Sequence, residues 1–218
     1  MKRHAGLAYS LIAMALLLVG CSSAYYAALE KIGIEKREIL VDRVGAARDA
    51  QKKAQTQFKD ALEQFKALVG YDGGKLEEMY ESLRSTSEAS TAKAREVRDR
   101  IGAVKDVADA LFKEWEGELQ QYSDAGLRRK SQRQLNETRG RYNRFVGAMD
   151  RAAARMDPVL AVLHDHVLFL KHNLNASALG SLEGTSTSLQ KDVDTLVSDM
   201  QVAIAEANRF IGDLTTAK

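Results

Sequence analysis

Cysteine, proline and aromatic residues are all scarce in this chain. One cysteine, Cys21, in 218 residues excludes an internal disulfide and a thiolate metal cluster. One proline, Pro158, leaves long stretches without a helix breaker. Aromatic residues make up only 6%, so any compact core is expected to be modest. Charge of one sign is not in excess either. Without Lys2 and Arg3 the basic and acidic residues balance at 30 each. Such a balance argues against general nucleic-acid binding, which needs a basic surplus to meet phosphates. Gly70, Gly73 and Gly74 do not make a phosphate loop, because no Gly-Lys-Ser/Thr follows them. A Gly-x-Ser-x-Gly turn, which would expose a nucleophilic serine, is missing too.

The longest apolar run lies at the start. Lys2 and Arg3 precede an apolar core from Ala5 to Val19, with Tyr9 and Ser10 inside it. That has the parts of an export signal, and it falls short of the ~20 apolar residues a permanent membrane span needs. It closes on Leu18-Val19-Gly20-Cys21 instead of an Ala-x-Ala site. The tetrapeptide resembles the lipobox of bacterial lipoproteins. The resemblance implies a thioether-linked diacylglycerol on Cys21, cleavage before it and acylation of the freed amine. Residues 1–20 are then a signal peptide, and 21–218 a mature lipid-anchored helical domain. Several acyl chains, at ~0.8 kcal/mol per buried methylene, hold a protein firmly on a bilayer. Ser22 stands where, by the same resemblance, Asp would retain a lipoprotein at the inner membrane. The expected place is the bacterial outer membrane, facing the periplasm.

What the chain has in abundance is Ala, Leu, Glu, Lys, Arg and Gln arranged at heptad spacing. In 24–69 the seam is Leu40, Val44, Ala47, Ala54, Phe58, Ala61, Phe65 and Leu68, interrupted only by Gln51. In 75–122 it runs from Leu76 and Tyr80 through Ser87 and Ser90 to Leu111 and Trp115. In 127–175 it includes Leu135, Tyr142, Phe145, Met149, Met156 and Leu170, with a kink or restart predicted near 158 and Asp157 as cap. In 189–214 it includes Leu189, Val193, Met200, Ala207 and Phe210. Gly70 is expected to take a left-handed cap, and 176–188 reads as a loop with room for one helical turn. The fold class expected is all-α: an elongated antiparallel bundle or coiled coil of three long helices, each ~70 Å, plus a shorter fourth.

Tyr25-Tyr26, Glu30-Lys31, Lys36-Arg37, Ile39 to Val44, Ala47 to Ala50, Glu114-Trp115, Asp157 to Leu160 and Leu170 to Ala176 carry a further likeness. Over nearly all of the mature part, the chain resembles an uncharacterised family of bacterial envelope lipoproteins, a domain of unknown function. The resemblance implies one helical unit and brings no activity, cofactor or catalytic residue.

Two clusters could carry chemistry. His164, His166 and His172 suggest metal, yet none of them has a ligand four residues on, and His164 and His166 point ~200° apart on a helix. No metal, cofactor or catalytic residue is expected. Arg128, Arg129 and Arg133, with Lys130, Arg139, Arg141 and Arg144, form the densest basic run, a candidate anion patch. Folding back at Ser123–Asp124 would pair Glu118 with Arg129, Glu114 with Arg133, Asp109 with Arg139 and Asp106 with Arg141, which would neutralise most of it. The function expected is non-enzymatic: a scaffold or accessory subunit, bound to the membrane by its lipid and to an unidentified envelope protein, with self-association open and no nucleic acid. The alternative is a carrier or sensor of a small anionic or lipid ligand, using the basic run or the polar Ser87–Ser90 interior.

Overall fold

The computed structural model describes residues 35–71, 73 and 75–216. The expected signal peptide, the expected lipobox residues Leu18, Val19 and Gly20, and Cys21 lie outside the described residues. Among the described residues five helices follow in order: α1 (Lys36–Val69), α2 (Leu76–Glu118), α3 (Ala125–Leu170), the short α4 (Ala176–Gly180) and α5 (Glu183–Thr216). No strand occurs among the described residues. The four long helices close a ring in which α1 packs on α2, α2 on α3, α3 on α5 and α5 on α1. Each is antiparallel to its neighbours, so α1 faces α3 across the core. The all-α antiparallel bundle expected from the heptads is the fold.

The seams are the core. Every position of the α1 and α5 seams is buried, and so are Tyr80 to Ala108 of α2 and Leu135 and Tyr142 to Leu163 of α3 at heptad spacing. Leu76, Leu111, Trp115, Thr138 and His166 are half-buried. Ile39, Ala50, Leu62, Val107, Phe112, Ala148 and Ala153 add a second column. A four-membered ring needs that wider stripe, because each helix touches two neighbours and a strict two-position seam suffices only for a pair.

Ion pairs record the register. Lys105–Asp150 (2.8 Å) and Arg98–Asp157 lie one heptad apart along both α2 and α3. Arg141–Asp213 (3.5 Å) and Arg155–Asp199 (3.3 Å) lie two heptads apart along α3 and α5. Such exposed pairs contribute ~0.2–1 kcal/mol each, and specify alignment more than stability.

Several boundaries differ from expectation. α5 begins at Glu183 and has 34 residues, as many as α1, so the fourth helix is not a short cover. In the stretch expected as a loop with one helical turn, the turn is α4, capped by Asn175 through Ala178 N (3.0 Å), and the rest from Glu183 belongs to α5. α3 starts at Ala125, because the Asp124 carboxylate accepts from Leu127 N (2.8 Å) and caps it. It runs through Pro158 without restarting, and Asp157 is no cap. Pro158 and Ala154 are both exposed, so the carbonyl that loses its donor faces water. Arg98 braces the same turn from α2, donating to Asp157 and to Ala153 O (3.5 Å). Gly70 has φ −82°, not a left-handed cap; the positive φ of this turn is at Gly73 (135°), where a side chain would be strained.

Candidate functional site

Call the end where α1 begins and α2 turns into α3 the near end, and the end where α1 turns into α2 the far end. At the near end, α2's last turns meet α3's first. Trp115 Nε1 donates to Ser131 Oγ at 2.8 Å, so the indole and the buried hydroxyl satisfy each other. Lys36 pairs with Glu114 at 3.0 Å, and Arg37 donates to Leu214 O, the last turn of α5. Between these contacts opens a cleft of about 560 Å³, lined among others by Glu35, Trp115, Glu118, Glu137, Arg141 and Asp213. Its volume is that of a small-molecule site, and its walls combine charges of both signs with the apolar side chains of Leu111, Trp115, Phe210 and Leu214. Sequence reasoning missed it because three separate helix ends and one helix flank assemble it, and no local pattern marks their meeting.

The basic run is only partly neutralised. Arg139 pairs with Glu116 (2.8 Å) and its guanidinium carbon stands 4.9 Å over the Phe112 ring. Arg141 pairs with Glu137 (3.7 Å) and Asp213 (3.5 Å). Neither takes the partner expected from the fold-back. Straight opposition across one pair of helices misplaces flanking side chains, and α5 supplies a carboxylate that a two-helix picture omits. Arg128 donates to Gln120 Oε1 at 3.2 Å. Arg129, Lys130 and Arg133 are exposed and make no ion pair among the described residues. The expected pairs Glu118–Arg129 and Glu114–Arg133 do not form.

The histidines are not brought together. His166 Nδ1 lies 2.7 Å from Val162 O, and its ring meets Phe65 edge-on at 5.5 Å, as a satisfied seam histidine. His164 and His172 are exposed. Among the described residues no group of three His, Cys, Asp or Glu side chains could hold a metal ion. The Ser87–Ser90 interior is already used: Ser90 Oγ donates to Thr86 O (2.8 Å), and Gln57 Nε2 from α1 reaches Thr86 O (3.2 Å). The one buried side-chain polar atom without a partner among the described residues is Gln51 Oε1; its amide nitrogen meets Met149 Sδ across the core at 3.4 Å.

Among the described residues Tyr142 is the one whose titration moves most. Burial pushes its pKa up to about 12, and the charges of Asp109, Asp150 and Asp106 push in the same direction. It packs edge-on against Phe112, with ring centroids 5.3 Å apart. Its hydroxyl therefore stays neutral, and the residue serves packing.

Among the described residues no helix is long and apolar enough to cross a membrane. No curated protein and no solved structure matches the chain. A family model does match, over residues 25–214, which takes in the four long helices but for the last two residues of α5. By that match the chain belongs to the family described as protein of unknown function DUF2959.

Proposed function

We propose that the protein is a lipid-anchored component of the bacterial envelope that works without catalysis, as a scaffold or accessory subunit presenting its helices to another envelope component. One observation carries the reading. Leu168 and Phe169, adjacent near the end of α3, are 55% and 42% exposed at the far end. Adjoining exposed apolar side chains offer a partner apolar surface to take out of water. α3 alone is ~70 Å long at 1.5 Å per residue, so a tether at the N-terminus would hold this pair well away from the bilayer. In-cell crosslinking followed by mass spectrometry, with Cys21→Ala beside the unchanged chain, tests it. The expected result is a defined envelope protein, lost in Cys21→Ala and in Leu168→Ser/Phe169→Ser; crosslinks to copies of itself alone would refute it.

A carrier or sensor of an anionic or lipid ligand is the second reading, favoured by the unpaired Arg129, Lys130 and Arg133. A thermal shift with anionic lipids, lost when Arg128, Arg129 and Arg133 are replaced, would support it. No shift with any lipid would remove it.

A further inference from the structure

We infer that the near end of the bundle is a docking surface for the anionic phospholipid headgroups of the membrane that carries the chain. The inference rests on the tethered reading above. From Leu119 to Arg133 the chain has four cations, Arg128, Arg129, Lys130 and Arg133, and one carboxylate, Asp124, which is spent capping α3. The cations occupy the first nine residues of α3, within ~14 Å of its start. Arg128, at the end of the first turn, is opposed by the helix dipole, and all four cations lack an ion pair among the described residues, so the fold itself leaves their charge uncompensated. An anionic surface would supply what the fold does not.

Two apolar side chains stand with them. Tyr122 is 41% exposed in the turn, and Leu127 is 56% exposed in the first turn of α3. A tyrosine and a leucine beside a basic cluster match the layered chemistry of a bilayer surface, where aromatic rings sit at headgroup depth and phosphates lie just outside. Chain length favours this end. Thirteen residues lie between Cys21 and Glu35, a reach of at most ~50 Å. The far end lies a further ~50 Å along α1, at 34 residues.

The test uses the full lipid-bearing chain, reconstituted into vesicles of phosphatidylcholine alone or with added phosphatidylglycerol. Flotation reports the tether, and amide hydrogen exchange reports the contact. Exchange over 120–133 should be several-fold slower with phosphatidylglycerol, with no change over 164–175 at the far end. The difference should vanish at high salt and in the Arg128→Gln/Arg129→Gln/Lys130→Gln/Arg133→Gln variant, whose circular dichroism should match the unchanged chain. Equal exchange in both lipids, or a difference that survives in the variant, would overturn the inference while flotation in both left the tether standing. Flotation only with phosphatidylglycerol would support the contact and refute the tether. Flotation with neither would overturn both.

Discussion

In the near half of the bundle Phe112, Tyr142, Phe145 and Phe210 meet ring against ring, with centroids 5.3 to 6.2 Å apart. The far half buries Phe58, Phe65 and Tyr80 apart from one another among aliphatic side chains such as Leu68, Leu83, Leu163 and Leu170, and its ring contact among the described residues is Phe65 edge-on to His166. Each half also exposes an apolar pair at its tip, Tyr122 and Leu127 against Leu168 and Phe169. The near pair sits among unpaired cations, whereas at the far tip His164 and Lys171 share a shallow groove with Glu77, Glu81 and Glu88 of α2. One rod thus carries two tips of different chemistry, one suited to an anionic surface and one to an apolar patch on another protein.

Four changes would break or sharpen that contrast. Phe210→Ala is expected to cost about 3–5 kcal/mol in urea unfolding. It should exceed Phe58→Ala by about 1 kcal/mol, because Phe210 stacks on Phe145 at 5.5 Å and leans on Tyr142, and Phe58 has no ring partner among the described residues. Equal losses would mean the rings add nothing beyond their area.

Between the halves lies Gln51, fully buried, with one orphaned oxygen. Gln51→Leu removes that atom at similar volume and should raise stability by about 1–3 kcal/mol by the same measurement. A loss instead would show that the amide holds the alignment of α1 against α3, as a lone polar residue can in a helical seam.

Tyr142 ties the near half to pH. Its folded pKa of about 12 stands above the ordinary 10, so the neutral form is favoured by folding. The stability this contributes is present below pH 10 and is lost as pH rises from 10 to 12. Tyr142→Phe should flatten the fall in urea midpoint across that window, and an unchanged slope would assign the loss to other groups.

At the far tip, Leu168→Ser/Phe169→Ser should change stability by no more than about 0.5 kcal/mol, as exposed sites do, while removing crosslinks to a partner. A large drop in melting temperature would show that the pair packs instead of presenting itself.

The heptads made the fold legible. α5 buries the eight positions spaced as its seam, Leu189 to Leu214, because a single period of apolar residues leaves only one face to hide. Helix ends were harder. Asp124, Gly73 and the short α4 follow from single hydrogen bonds and one backbone angle, which composition does not record. Pro158 misled for the opposite reason: a breaker is tolerated when its freed carbonyl faces water and a neighbouring arginine braces the turn. The near-end cleft was invisible, since Glu35, Trp115, Glu137 and Asp213 are far apart along the chain.

By itself, the sequence determined the helical class, the buried face of each long helix and the presence of a dense basic run, because each depends on residues within a few turns of one another. Only the tertiary structure decided which of those cations find carboxylates. Arg141 meets Asp213 because α5 closes the ring beside α3. Arg129, Lys130 and Arg133 meet none because the first turns of α3 face solvent. Pairing between charges falls steeply with distance in water, so it is settled by a few ångströms of packing that no one-dimensional pattern contains.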